Sequence, residues 1–303
     1  SFLLLFFICL NTYTTSSEIK IKYLVDDEII TNFDIEDEKN YLLFINPNLK
    51  ELKNNEIDNL ARRSLIREKI KSKELKKTFK IKENYKFLDD LLSNFIARKN
   101  LENKNDLKNL LKQNKLDYKL FVEKLKYEGL WNQLIYMRFK ESVNINKNYL
   151  KEKLSKQISR NKKYEYNLSE ILFEINKDEK FEEKLTIIKS SINNLGFKNT
   201  ANKFSISNTS NKGGEIGWVK ETLLSEDLIQ VLSSMRVNEF SKPLKFPNGY
   251  LILRINDKKI LEQNIDLDKE LEDLIKFETN KQLNQFSLLY YKRLKQNIII
   301  NEY

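Results

Sequence analysis

Glycine and proline restrict the fold of this chain most, because they are few and unevenly placed. The 303 residues include only 6 Gly and 3 Pro. Since these residues mark tight turns and interrupt helices, their scarcity predicts long helices joined by few sharp turns. Nearly all of the glycines and two of the prolines lie between residues 164 and 258. Strands and turns are therefore expected in that part, and mostly helices elsewhere.

The chain contains no histidine and one cysteine, Cys9. Within these residues, histidine catalysis, histidine metal ligation, an internal disulfide and a cysteine-cluster metal site are excluded. No phosphate-binding glycine loop is found, and we expect no cofactor and no metal. The net charge of +10 comes with no zinc-finger or other nucleic-acid-binding motif, so it favours a solvated lysine surface and no nucleic acid partner.

The N-terminal segment is apolar from Phe2 to Leu10 and polar from Asn11 to Ser17. This apolar run is too short to span a bilayer, which requires about 20 residues. A short apolar core followed by small polar residues is typical of a secretory signal peptide. We predict export to the periplasm and a mature chain that begins around Glu18 and has no integral membrane span. A lipoprotein modified at Cys9 and a membrane anchor that extends upstream are the alternatives.

Beyond this segment, alternating apolar residues predict a strand around 19–25, a turn at Asp26–Asp27 and a second strand over Glu28–Thr31. Thr31 and Asn32 are candidates for the N-cap of the next helix. Helical periodicity over 54–139 predicts a bundle of four or five helices. A Lys-rich helix or linker follows, with Tyr149, Leu154 and Ile158 on its apolar side. Residues 261–296 are again helical, and Ile298–Ile300 is a predicted strand that closes back on the first one.

The segment 164–258 carries a series of motifs. A buried-strand pattern at Asn167–Phe173 precedes an amphipathic helix from Glu179 to Leu195, which Gly196 is expected to end. The run Phe204–Ser207 and the sequence Gly213–Trp218 follow; two further runs lie at 237–243 and 248–253. In order and spacing these motifs resemble the parvulin-type (PpiC-type, rotamase) peptidyl-prolyl isomerase domain, whose fold is β-α3-β-α-β2.

The helical part resembles the N-terminal chaperone domain of the SurA family. In that family a strand pair and an acidic helix start open the module, and a C-terminal helix and strand return to complete it. Together the resemblances imply an α+β fold with a single parvulin domain. The implied divisions are 1–17 (signal peptide remnant), 18–140 (helical chaperone domain), 141–163 (Lys-rich helical linker), 164–259 (parvulin-type domain) and 260–303 (C-terminal helix and strand completing the chaperone module).

The parvulin resemblance also implies an active-site floor, which in active members carries two His, a Cys or Asp, and a Ser or Thr. Carried across by motif, the His positions fall on Glu170 and Leu251, the Cys or Asp position on Ser207, and the hydroxyl position on Asn248. All four depart from the family pattern. Glu170 is either merely tolerated in a degenerate site, or protonated and able to donate a hydrogen bond to Ser207.

The positions of the proline pocket fall on Ile216, Leu224 and Leu228, which remain apolar. We therefore expect binding of X-Pro peptides with weak or absent isomerase activity.

The resemblances imply a periplasmic chaperone whose partners are unfolded or nascent outer-membrane proteins. The alternative is an active isomerase, a foldase anchored at or exported across the inner membrane. The aromatic residues Trp131, Tyr136 and Phe139 fit either a client-binding face or core packing.

Overall fold

The computed structural model describes residues 18–81, 85–158, 163–176, 178–247, 249–261 and 266–303. The predicted signal segment, Cys9 and Asn248 lie outside these ranges. The helices in them are α1 (Asn32–Ile45), α2 (Asn54–Thr78), α3 (Lys86–Arg98), α4 (Lys104–Gln113), α5 (Tyr118–Phe139), α6 (Lys147–Ile158), α7 (Phe181–Phe204), α8 (Glu226–Ser234) and α9 (Leu267–Gln296). The strands are β1 (Ile21–Val25), β2 (Glu28–Thr31), β3 (Tyr164–Phe173), β4 (Glu215–Lys220), β5 (Leu244–Phe246), β6 (Gly249–Ile260) and β7 (Ile300–Glu302). Among the helices described, none has both the length and the hydropathy that a bilayer crossing requires.

The first module joins a three-stranded sheet, in the order β2-β1-β7, to helices α1–α5. Thr31 caps α1 as predicted: its hydroxyl accepts the Asp34 N–H, while the Asp34 carboxylate accepts the Thr31 N–H. This reciprocal arrangement satisfies backbone donors that a helix start would leave unpaired. Tyr23 and Val25 of β1 point into a core shared with α1 and α2.

Strand β7 lies antiparallel to β1, with Val25 opposite Ile300 and Tyr23 opposite Glu302. The predicted strand, Ile298–Ile300, starts too early. Ile299 lies in the approach to the strand, where its N–H donates to the Asp26 carboxylate at 2.9 Å and its carbonyl accepts the Asp26 N–H. The predicted α+β fold, with a C-terminal helix and strand that return to the first module, is confirmed.

The second module is built on an antiparallel sheet in the order β4-β3-β6-β5. Successive residues of β3 face opposite sides of the sheet. Ile171 and Phe173 pack under α7, whereas Leu168 and Leu172 pack on the other side with residues of α8. Gly196 ends the first helical segment of α7 at φ 77°, as predicted, and a second helical segment, which was not predicted, follows it to Phe204. Glycine adopts this positive φ without strain, so a single residue is enough to change the direction of the backbone between the two helical segments.

Helix α6 lies within the predicted Lys-rich linker, and Leu154 of its predicted apolar side is buried. Leu150 and Leu154, one helical turn apart, pack with Leu274 of α9. Tyr149, predicted to be on the apolar side, is 62% exposed because it lies about 100° around the helix from Leu150. The side chain of Ile158 is outside the described part of the chain.

Helix α9 contacts both modules, and two of the three aromatic residues of α5 discussed above, Trp131 and Phe139, pack against it. Trp131 is buried, and its Nε1 donates to Ser287 Oγ at 2.9 Å. Phe139 stacks on Phe286 with ring centroids 5.0 Å apart. Tyr136 is 54% exposed. Trp131 and Phe139 therefore belong to the packing of α5 on α9, whereas Tyr136 remains on the surface.

Candidate functional site

A cavity of about 290 Å³ lies between one face of the second sheet, helix α8 and helix α9. Its walls are mostly apolar, with Leu168, Leu172 and Val219 contributed by β3 and β4. The sequence-predicted site residues within the described chain all line it: Glu170, Ser207, Ile216, Leu224, Leu228 and Leu251. Residues from five separate segments thus converge on one space. Asn248, the remaining predicted residue, lies outside the described residues.

Three polar side chains meet at one end of the cavity. Ser207 Oγ donates to Glu170 Oε1 at 2.5 Å, and Thr209 Oγ1 donates to the same oxygen at 2.9 Å. The two hydroxyl oxygens are 3.1 Å apart. Sequence reasoning missed Thr209, because its approach to Glu170 depends on the turn that follows Ser207.

The polar cluster is held by backbone contacts around β3. Glu170 faces the cavity because it shares the strand face of Leu168 and Leu172. The loop that carries Ser207 is fixed beside it, since the Leu172 N–H donates to Ser205 Oγ at 3.1 Å and the Ile206 N–H donates to the Leu172 carbonyl at 2.7 Å. These two hydrogen bonds align the loop with β3 at the point where the Ser207 hydroxyl contacts the Glu170 carboxylate.

Gly214 allows β4 to approach the backbone of Glu170. The Glu170 N–H donates to the Gly214 carbonyl at 2.8 Å. Gly214 has φ +76°, and a Cβ at this position would lie 2.1 Å from the Glu170 carbonyl oxygen. Only glycine fits so close to the strand, which explains the adjacent glycines of the sequence motif.

Leu251 lies on β6 directly opposite Leu172 and is buried in the cavity wall. Its side chain offers neither a donor nor an acceptor. Leu224 is also buried and Leu228 is partly buried, whereas Ile216 is 39% exposed at the cavity mouth. The side of the cavity formed by β4, β6 and α8 is therefore suited to an apolar ring, and Glu170 lies at one end of it.

The geometry limits what the polar end can do. Both hydroxyl oxygens lie within hydrogen-bond distance of Glu170 Oε1, and the Thr209 hydroxyl also lies within reach of Ser207 Oγ. A substrate carbonyl at this end would meet a carboxylate oxygen and two hydroxyl groups whose hydrogens are already engaged.

Helix α9 forms the opposite wall, which the sequence interpretation did not include. Its contributing residues are Phe277, Asn280, Lys281, Asn284, Gln285 and Leu288. Their spacing places them on one face of the helix. The sequence predicted the helix but gave no sign that it faces this pocket, because the contact depends on how the two modules pack.

Comparison with known proteins identifies the second module. Residues 160–257 match the family described as Rotamase: PPIC-type PPIASE domain. A protein of Pseudomonas putida (strain KT2440) named Chaperone SurA is 40% identical over 58 residues, 19% of this chain and 14% of that protein. A protein of Buchnera aphidicola subsp. Schizaphis graminum named Periplasmic chaperone PpiD is 34% identical over 92 residues, 30% of this chain and 14% of that protein. The chain thus matches only a small part of the length of these two relatives.

A solved Campylobacter jejuni structure, from work describing PEB4 and the periplasmic protein Cj1289 as SurA-like chaperones, covers 93% of this chain and 98% of its own, with 20% identity and a TM-score of 0.37. Residues 160–257 therefore form a PpiC-type domain of the rotamase family, in a chain homologous to proteins named Chaperone SurA and Periplasmic chaperone PpiD.

Proposed function

We propose that this protein is a periplasmic chaperone for unfolded outer-membrane proteins, and that its PpiC-type domain binds X-Pro segments with weak or absent isomerase activity. The observation that carries the proposal is the apolar cavity on which Ile216, Leu224, Leu228 and Leu251 converge. Such a cavity suits a proline ring and its apolar neighbours. The homologues named Chaperone SurA and Periplasmic chaperone PpiD support the function and the compartment.

Weak catalysis follows from the chemistry of the polar end. Rotation about a peptide bond crosses a barrier of about 18–20 kcal/mol, and only interactions stronger with the twisted amide than with the planar one lower it. Leu251 supplies no such interaction. The Ser207 and Thr209 hydroxyl groups donate to Glu170, so a client amide would have to displace them to gain a hydrogen bond.

Outer-membrane proteins fit as clients because their strands alternate apolar and polar residues and aggregate through unpaired edges before assembly. A chaperone of this kind binds the extended chain reversibly, without nucleotide or other cofactor. The apolar cavity provides one point of attachment.

The alternative function is that of an active isomerase, a foldase exported across or anchored at the inner membrane. The cluster of Glu170, Ser207 and Thr209 on the cavity favours it, since a polar group at that place could respond to the amide as it twists.

The decisive experiment is proline-limited refolding of a small protein with catalytic amounts of the full chain, paired with aggregation assays on an unfolded outer-membrane protein. We expect suppressed aggregation and no clear acceleration of refolding. Acceleration that disappears in Glu170→Ala would instead establish the alternative.

A cavity variant tests the binding step. Leu228→Asn should weaken binding of an X-Pro peptide, because it places a polar group in the apolar wall, whereas Gln230→Ala on the exposed side of α8 should not. Equal peptide affinities for wild type and Leu228→Asn would contradict a client site in this cavity.

A further inference from the structure

The wall of the cavity formed by α9 is apolar at both ends and polar between them. Phe277 and Leu288 are three turns apart and both pack against the apolar core of the second module. Between them, on the same helix face, lie Asn280, Asn284 and Gln285, together with Lys281, whose ammonium pairs with Glu278 at 3.2 Å. A helix face that packs on an apolar surface is ordinarily apolar throughout. Here amide side chains interrupt it where the cavity lies.

These amides have no partner within the part of the chain that the structure describes: none of the three side chains donates or accepts a hydrogen bond. Asn280 and Asn284 are exposed at the rim, and Gln285 is partly buried. Each side-chain amide offers two donor hydrogens and a carbonyl acceptor. A peptide backbone offers the complementary groups, one N–H and one C=O per residue.

The part of α9 that carries Asn280, Asn284 and Gln285, here called the amide wall, is held in place by contacts at both of its ends. Near its N-terminal part, Leu274 is fully buried against α6, and Glu270 accepts a hydrogen bond from Thr222 Oγ1 at 2.8 Å. Toward the C-terminal part, Ser287 accepts from Trp131 and Tyr290 is buried against the same ring. The cavity keeps a volume of about 290 Å³ with α9 in this position, so the helix borders the space without filling it.

We propose that Asn280 and Asn284, with Gln285, determine the specificity of the cavity for extended polypeptide by hydrogen bonding to the client backbone while the opposite wall holds the apolar side chain. The client site is then composite. The PpiC-type domain supplies the apolar wall, and α9 supplies amide groups that hydrogen-bond to the client backbone whatever the client sequence. This inference rests on the proposed function, because it assumes that clients enter this cavity.

The test compares the full chain with the double variant Asn280→Ala/Asn284→Ala, by fluorescence titration with a labelled X-Pro peptide. Both side chains are exposed and alanine favours helix, so the fold should be kept. We expect affinity to fall about threefold to tenfold, as for the loss of one or two hydrogen bonds. Gln296→Ala, which removes an exposed amide from the same helix away from the cavity, is the matched control and should bind as the wild type does.

A second peptide series separates hydrogen bonding from a structural effect. Replacing one backbone amide of the peptide by an ester removes an N–H donor without changing the side chains. At the position bound by α9, the ester should weaken binding to the wild type and make no further difference in the double variant.

The outcomes separate this inference from the proposed function. If Leu228→Asn weakens binding and the double variant does not, the cavity binds clients and the amide wall is refuted. Tighter binding by the double variant also refutes it, because α9 would then obstruct the site. If the wild type does not bind the peptide, or if neither variant changes affinity, the proposed function fails together with the inference.

Discussion

Lys71 of α2 places a partly buried amine between α2 and α5, in a depression that also contains the charged side chains of Arg67 and Glu128. Its Nζ lies 4.8 Å from the centre of the Trp131 ring, and no carboxylate within the described residues comes within ion-pair distance. Burial, and to a smaller extent the nearby Arg67, lowers the pKa of Lys71 to about 8. The folded state therefore holds the charged ammonium less favourably than water does.

Substituting Lys71→Met should stabilise the protein at pH 7, by about 1–3 kcal/mol, because the charge no longer has to be desolvated. Between pH 8 and about 10.4 the unfolded chain holds the proton and the folded chain does not, so wild-type stability should rise with pH there. The variant should lack that rise. Urea unfolding at pH 7 and pH 9.5 measures both effects, with Lys112→Met on the exposed side of α4 as control. A variant less stable than the wild type at pH 7 would show that the ring contact outweighs the cost of burial.

At the residue level, the sequence predicted several residues that line the cavity but not all of its polar groups. Glu170 and Leu251 lie on the neighbouring strands β3 and β6 and both line the cavity, and strand motifs that fix residue order and alternation allowed this proximity to be predicted. Thr209 was missed because it occupies no position named by the family pattern. Asn284 was missed because its relation to the site arises only from packing between modules.

Among the elements, the β1–β2 hairpin is joined to α2 by charge. Lys73 Nζ lies 2.9 Å from an Asp26 carboxylate oxygen and 2.7 Å from one of Asp27. Glu28 pairs with Lys76 and, at 3.5 Å, with Lys69. The hydrogen bond from Lys76 holds the pKa of Glu28 below its ordinary value. The turn predicted at Asp26–Asp27 thus also anchors the hairpin to a helix, which its local sequence does not reveal.

Substituting Glu28→Gln should destabilise the protein at pH 7 by about 0.5 kcal/mol, a magnitude typical of partly exposed pairs. Because the folded-state pKa is lowered, this contribution is present above the unfolded pKa near 4.3 and is lost as pH falls through the folded-state value. Wild type and variant should therefore converge at pH 2.5–3. Urea unfolding at several pH values checks this, with Glu141→Gln at a highly exposed position as control. A difference that persists undiminished at pH 2.5 would rule out the ion pair as its source.

Over the whole molecule, α9 is the element shared by both modules. It packs on α5 through Ser287 and Tyr290, and on the second module through Phe277 and Leu288. Its periodicity made the helix predictable from sequence, and the family resemblance implied its return to the first module. Its second contact, with the cavity, required the spatial arrangement of segments far apart in the chain.

Substituting Leu274→Ala should destabilise the protein by about 2–5 kcal/mol, because the side chain is fully buried between α6 and α9 and its loss leaves a cavity. If α9 couples the modules, hydrogen-exchange protection should fall in β3 and also in α5. The variant Leu289→Ala, at an exposed position of the same helix, should leave both unchanged. Loss of protection confined to the second module would show that the two unfold independently.

The pairing of β1 with β7 also governs the order in which the chain can be assembled during synthesis. The strands of the second sheet all lie between residues 164 and 260, so every pairing in it is available once that stretch has emerged. Residues 23–25, by contrast, pair early with β2 on one side but meet their partners on the other side, in β7, only when residues 300–302 have been made. The sheet that begins first along the polypeptide is consequently the last to be completed, and β1 presents an unpaired edge throughout translation of the intervening sequence.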